Sequence, residues 1–335
     1  MYFSRTVLCV LFLSFFLGSF AQGESPLFAS DEVLELQIHT DIPAIQGDRK
    51  GKELYRSATL KCSKEISIPV EVKVRGNFRK RPDICDFPPL KLKLPPSESQ
   101  KTPFDGQSKL KLVTHCQGDD LVLKEYLVYK TLNLLTENSF KVRLVKIKYK
   151  DLSKTESTES HYGIILESVK HMAERMGGEE IEKVRLAPEK ISEQEMAIVC
   201  LFNYMIGNTD WDVTLEKNLK IVGFDGQKAP IIVPYDFDMS GAVMAPYSDR
   251  IIGSAEARRR FTNLVVSKEA MEAAIFYFKE KKSEIFELYQ SFSPLKKKDS
   301  AQILEYYTKF YQLIENPDLV KSKILNLLPG EVVGR

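Results

Sequence analysis

Two short stretches concentrate the residues able to do chemistry. One is Met205-Ile206-Gly207-Asn208-Thr209-Asp210-Trp211-Asp212, followed by Asn218; the other is Val233-Pro234-Tyr235-Asp236-Phe237-Asp238-Met239-Ser240-Gly241. The first leaves a predicted helix for a loop, and the second sets two carboxylates at the end of an apolar strand. Asp210, Asn218, Asp236 and Asp238 offer carboxylate and amide oxygens. Such hard ligands suit magnesium or manganese together with a phosphate. Phosphoryl transfer uses an Asp to orient a hydroxyl, an Asn and an Asp to hold metal, and cations for the phosphates. A metal-dependent glycosyltransferase also places Asp-x-Asp after a strand, to hold a nucleotide-sugar diphosphate. A haloacid-dehalogenase-type phosphatase carries its Asp-x-Asp early in the chain, which position 236 of 335 argues against. The plain alternative is that Asp236 and Asp238 cap a turn and Asp210 an adjacent loop.

The chain holds 48 Lys and Arg against 46 Asp and Glu, with 43% hydrophobic and 10% aromatic residues. A packed core is within reach and disorder is not expected. The near-neutral total gives no case for a nucleic-acid partner. The charge is unevenly placed, however. Arg49 to Lys111 contains sixteen Lys and Arg against seven Asp and Glu. A basic first part facing an acidic cluster in the second suits phosphates on one side of a cleft and a metal on the other.

The elements that must position these residues follow from periodicity. Val33–Ile38, Ile66–Val74, Leu90–Leu94 and Lys109–Val113 alternate apolar and polar residues, as half-buried strands do. Lys91 and Lys93 share the face opposite Leu90, Leu92 and Leu94. A helix is predicted from about Asp119 to Glu137, then strands over Val142–Tyr149 and Tyr162–Glu167. Ser192 and Glu195 form a capping box ahead of a helix carrying Met196, Val199, Phe202 and Met205. Lys217–Val222 and Pro230–Pro234 read as a hairpin. Ser267–Tyr289, Asp299–Glu315 and Asp318–Leu328 read as amphipathic helices. The expectation is an α+β protein of two lobes, strand-rich over 22–167 and mainly helical over 168–335. His39, His115, His161 and His171 lack metal-ligand spacing, Trp211 reads as loop packing, and Arg258-Arg259-Arg260 as a solvated face. No Gly-x-Ser-x-Gly elbow supports a serine hydrolase.

Residues 1–21 read as a cleaved secretory signal: Arg5, an apolar run from Val7, then small residues Ser19 and Ala21 before Gln22. The remainder is then exported, to the periplasm or outside the cell, with no membrane span. In an oxidising compartment Cys62, Cys85, Cys116 and Cys200 allow three full pairings. Cys85–Cys116 is favoured, because antiparallel pairing of the two Leu/Lys strands brings those flanks together. Cys200 falls on an apolar helix face and reads as core.

Several motifs occur in one order: Arg75-Gly76-Asn77, Pro89-Leu90-Lys91-Leu92-Lys93-Leu94, Lys109-Leu110-Lys111-Leu112, Lys124-Glu125-Tyr126, Tyr162 to Glu167, Gly207-Asn208-Thr209-Asp210 and Pro234 to Asp238. In that order the chain resembles the CotH family of atypical kinases, especially the exported members found in Bacteroidota. The resemblance runs from about Val33 to Tyr247. It implies a diverged, two-lobed protein-kinase-like fold that binds ATP with Mg2+ or Mn2+ and phosphorylates Ser/Thr of a protein or other envelope acceptor. By position it implies Asp210 as catalytic Asp, Asn218 and Asp236 as metal ligands, and Asp238 as a second acidic ligand. It implies that Lys91 or Lys93, oriented by Glu125, reaches the phosphates. Glu167 would lie near the adenine, and Arg75-Gly76-Asn77 would form the turn over the nucleotide. The chain departs from the kinase pattern in three ways. Asn218 follows Asp210 by eight residues and Asp212 by six, where the kinase loop has five, so both Asp residues stand as candidates. Asp238 replaces the Gly of Asp-Phe-Gly. No Gly-rich phosphate loop precedes the Lys strand. An ATP-binding pseudoenzyme, or a non-catalytic envelope-binding or adhesion module, stands as the alternative.

Overall fold

Strands with one apolar face must bury it, and in the first part of this chain they do so by curling around one another. The computed structural model describes residues 25–51, 54–153, 160–182, 187–226, 228–261 and 265–328; the signal segment expected at 1–21 lies outside them. In chain order come β1 (Leu34–Thr40), α1 (Ile42–Gly47), β2 (Arg56–Lys61), β3 (Ser67–Val74), β4 (Leu90–Lys93), α2 (Pro96–Ser99), β5 (Lys109–Val113), α3 (Asp119–Leu135), β6 (Val142–Asp151) and β7 (Ser160–Leu166). The seven strands close into a barrel in the order β1-β2-β3-β4-β5-β7-β6. Neighbours are antiparallel except β1 and β6, which run parallel with Leu34 opposite Val145 and Thr40 opposite Asp151. Ile38, Leu60, Val72, Leu90, Leu110 and Ile147 point inward and are almost fully buried. Alternation then sends the intervening lysines outward.

The second part holds α4 (Val169–Arg175), β8 (Glu179–Ile181), α5 (Glu193–Ile206), β9 (Leu219–Gly223), β10 (Ile231–Pro234), α6 (Pro246–Ile252), α7 (Ala255–Arg258), α8 (Lys268–Ser291), α9 (Lys297–Glu315) and α10 (Pro317–Lys323). Strands β10-β9-β8 form a separate antiparallel sheet. Helix α3 is buried on nearly all sides. Its Leu127, Val128 and Leu132 share a core with Leu144 and Ile164 of the barrel and with residues of α5, α8 and α9. An all-round apolar helix is one enclosed by neighbours, and α3 joins the barrel to the helices.

The two-lobed protein-kinase-like fold expected from the sequence is therefore corrected. The architecture is a closed seven-stranded mixed barrel, a second small sheet and helices. Period-two alternation fixes which face of a strand is buried, but not whether the sheet closes. Closure rests on the pairing of β1 with β6, strands far apart in sequence, and no local pattern encodes it.

Smaller expectations divide. Cys85 and Cys116 form a disulfide. Leu90 lies opposite Leu112, so the chain entering β4 meets the chain leaving β5. Cys200 is buried and Cys62 is half-buried, both as thiols. Ser192 is the N-cap of α5, but its side chain makes no capping bond. Its N–H donates to Pro230 O, and Glu195 accepts from Thr136 Oγ1 at 3.4 Å instead. Arg258 is not solvated: it is fully buried and donates to Met239 O, Ser248 Oγ and Asp249 Oδ1. Among the described residues no helix is long and apolar enough to cross a membrane.

Candidate functional site

The two acidic stretches meet through backbone. Helix α5 ends at Gly207, whose φ of 65° is the left-handed conformation that glycine adopts without cost. Gly241 N–H donates to Gly207 O at 2.9 Å, and Ala242 N–H to Ile206 O at 2.9 Å. Asn208 is buried, donates to Asn203 Oδ1 at 2.8 Å and accepts from Asp210 N–H at 3.0 Å. These bonds fix the loop that carries Asp210.

Asp210 is held by two partners. Asn218 Nδ2 donates to Asp210 Oδ2 at 2.9 Å and to its carbonyl at 2.6 Å, and Lys217 pairs with Oδ1. Asp212 instead caps a turn by accepting from Leu215 N–H at 2.7 Å. Asn218 has φ 52° and Asp236 φ 64°. Asn and Asp tolerate this left-handed region better than most residues, but it is held only where surroundings enforce it. Here Tyr235 N–H donates to Asn218 O at 3.0 Å, and Asp236 N–H to Tyr129 Oη at 2.8 Å. Phe237 is buried between Tyr129 and Phe202, which anchors the turn.

Arg79 organises the carboxylates. It donates to Glu125 Oε2 at 2.8 Å and Asp236 Oδ1 at 2.5 Å, and its Nε lies 3.3 Å from Asp238 Oδ2. Tyr247 Oη donates to the same Asp238 oxygen at 2.9 Å. Burial pushes the Asp238 carboxyl up to about 7, and Glu125 shifts up for the same reason. Burial works against the Arg79 charge, but Asp238, Glu125 and Asp236 outweigh it and hold the guanidinium charged.

Opposite this cluster stands a set of cations on the outer face of the barrel. Lys73, Lys91 and Lys111 occupy one row across β3, β4 and β5. Arg75 follows β3, with its N–H bonded to Pro89 O. The Lys111 ammonium lies 5.8 Å from the centre of the Tyr235 ring. Among the described residues Arg75, Lys91 and Lys111 make no ion pair. Burial, then Arg75, Lys220 and Lys91, push Lys111 down to about 8. Burial also lowers Arg75, although Asp236 opposes the shift. Lys220 is paired with Glu180 at 2.6 Å.

The expected site residues therefore separate. Asp210 and Asn218 meet, and Tyr235 ties Asp236 to them through backbone. Arg75 and Lys91 stand with the cation row. Lys93 is exposed and paired with Glu71 at 2.6 Å. Glu125 is bound to Arg79 and orients no lysine. Glu167 accepts from Arg175 and from Lys141 N–H, which uses both its oxygens structurally. Asp238 is buried on Arg79 and Tyr247. Sequence reasoning missed Arg79, Lys111 and Lys220. A signal for Lys111 existed, because the Lys-Leu-Lys-Leu run of β5 repeats that of β4 and aligns with it. Arg79 had none beyond its place in a basic run.

No family model matches this chain, and no curated protein matches it. The site has to be read from its own chemistry. Among the described residues no group of three or more His, Cys, Asp or Glu is arranged to hold a metal ion. Asp210 and Asn218 bond to each other, and Asp236 is linked to them through the Tyr235–Asn218 backbone bond, with its carboxylate on Arg79. Magnesium sites commonly combine one or two carboxylates with substrate phosphates and water, and Asp236 and Asn218 carry oxygens of that kind.

Proposed function

We propose that the protein transfers the terminal phosphoryl group of ATP, with Mg2+ or Mn2+, to a hydroxyl of a protein or cell-envelope acceptor. The observation that carries this reading is a group of cations without ion pairs among the described residues, Arg75, Lys91 and Lys111, with Lys111 beside Tyr235 and Arg75 in the field of Asp236. Half-buried like charges without counter-ions repel one another, and a polyphosphate seated among them would relieve that repulsion. The acidic groups of the two stretches supply the other half of the chemistry. Asp210 accepts the proton of the acceptor hydroxyl as its oxygen bonds to the γ-phosphorus and the bond to the ADP oxygen breaks. Lys217 and Asn218 hold that carboxylate in position. Lys111, Lys91 and Arg75 bind the phosphates, with Lys111 in the place the sequence assigned to Lys91 or Lys93. Asp236 and Asn218 would hold a metal ion, which when bound would supply charge neutralisation at the phosphates. The CotH-like order of motifs supports the same substrate class without bearing on the fold.

The test is incubation of the protein with γ-labelled ATP, Mn2+ and envelope protein extract. Label should enter an acceptor, and Asp210→Asn should lower its rate by about 100-fold or more with an unchanged melting curve. Lys111→Met should weaken nucleotide binding. Absence of nucleotide binding overturns the reading, as does thermal stabilisation by nucleotide sugars in preference to ATP. Binding of ATP without transfer overturns its catalytic half.

A further inference from the structure

We propose that the outer face of the barrel over β2, β1 and β6 is a docking groove for an extended acidic segment of a partner protein. The groove is open, with a volume of about 560 Å³, and is lined by Lys61, Lys64, Lys146 and Lys148 with Ser63 and Ser160. Glu35 is the one carboxylate among its described lining residues. Among the described residues these four lysines make no ion pair. Four lysines against one carboxylate leave this concave place with a concentrated net positive charge.

The register explains the pattern. Strand β6 turns Lys146, Lys148 and Lys150 to the same side, and parallel β1 sets Glu35, Gln37 and His39 opposite them. On the other flank Gln37 lies opposite Lys61 of β2. Gln37 is therefore bracketed by two lysines. His39 senses the same field: burial first, then Lys61 and Lys150, hold it below its ordinary value. Alternate residues of a strand recur every ~6.6–6.8 Å. An extended peptide with an acidic residue at every second position has the same repeat, so its carboxylates fall in step with the β6 lysines.

Other occupants fit less well. Single-stranded nucleic acid is gripped by aromatic platforms as well as cations. No aromatic residue is among the described lining, and Tyr162, opposite Lys146 on β7, already has the Lys146 ammonium 5.6 Å from its centre. Among its described lining residues the groove also holds no arginine, the residue favoured for bidentate phosphate recognition. The barrel is closed, so the segment cannot add as an edge strand, and recognition runs through side chains. In barrel order β1 stands three strands from β4, so this groove is separate from the Arg75–Lys111 site and does not depend on the phosphotransfer reading.

The test uses the whole protein and a fluorescein-labelled peptide of alternating Glu and Ser, read by anisotropy at low salt. The peptide should bind, and binding should weaken as salt rises. The double variant Lys146→Glu, Lys148→Glu should lose about tenfold or more in affinity. The milder Lys148→Gln should lose less, with an unchanged melting temperature. Lys321→Glu on exposed α10 should bind like the parent. Cys62 lines the groove, so bound peptide should also slow its alkylation. Equal binding by the double variant overturns the proposal. So does tighter binding of a glycerol-phosphate oligomer or an oligonucleotide of equal charge.

Discussion

Arg79 and Asp236 are 157 residues apart in sequence, yet a guanidinium nitrogen of one lies 2.5 Å from a carboxylate oxygen of the other. The same guanidinium reaches Glu125 and Asp238. One cation thus ties a loop of the barrel, helix α3 and the turn after β10. Removing one partner of a buried charge network leaves the others without compensation. Arg79→Met should destabilise the protein by about 3–5 kcal/mol, measured as a shift in the urea midpoint. Adding Glu125→Gln and Asp238→Asn should recover part of that loss, because the stranded carboxylates are then neutral. A triple variant no more stable than Arg79→Met rejects this account.

The same network fixes a direction for pH dependence. One guanidinium cannot neutralise three carboxylates, and burial raises Asp238 from 3.8 to about 7. A carboxyl raised in the folded state binds its proton more tightly there than in the unfolded chain. Its contribution to stability is complete below 3.8 and is lost as pH rises through about 7. Asp238→Asn removes this dependence, so its urea midpoints at pH 5 and pH 7.5 should differ less than those of the parent. An undiminished difference places the titration elsewhere.

Lys111 titrates in the opposite sense for binding. Burial and its cationic neighbours bring it down to about 8, so it loses its charge in the ligand-free protein as pH rises through that value. Affinity for inorganic triphosphate, measured by calorimetry, should fall between pH 7 and pH 9. Lys111→Arg should keep its affinity over that range, since a guanidinium stays charged. Parallel pH profiles for the two proteins exclude Lys111 as an anion contact.

Two glycines hold the acidic stretches together under one tyrosine. A Cβ at Gly241 would lie 2.6 Å from Tyr306 Oη and 3.1 Å from Ala255 O. Tyr306 Oη itself donates to Ala255 O at 2.8 Å. Gly241→Ala should therefore cost about 1–3 kcal/mol through overpacking. Tyr306→Phe removes the obstructing oxygen, so the double variant should cost less than the sum of the singles in a thermodynamic cycle. Strict additivity would falsify the steric explanation.

Much of the candidate site was legible in order but not in pairing. Asp210, Asn218 and Asp236 are marked by residue type and by flanking apolar runs, and they assemble. Glu125 is where the sequence points, on α3, but its partner is Arg79, which lies in the loop between β3 and β4 and follows no periodic pattern. Glu167 carries the right chemistry at a strand end, yet Arg175 one helix further on takes its oxygens. Lys91 and Lys93 are equivalent by alternation. Only their neighbours separate them: Lys91 is half-buried between Lys73 and Lys111, and Lys93 at the end of β4 is spent on Glu71.

The sequence by itself marked six of the seven barrel strands and their buried faces, the spans of the long helices and the uneven charge, and it favoured the Cys85–Cys116 pairing. All of these depend on residues near one another along the chain or on strands of matching pattern. Tertiary structure alone decided that seven strands close into a barrel, that α3 is enclosed, that Arg258 is buried, that Arg79 gathers three carboxylates and that Lys111 meets Tyr235. Each of these depends on contacts between distant segments, where packing and desolvation choose among partners that local periodicity leaves equivalent.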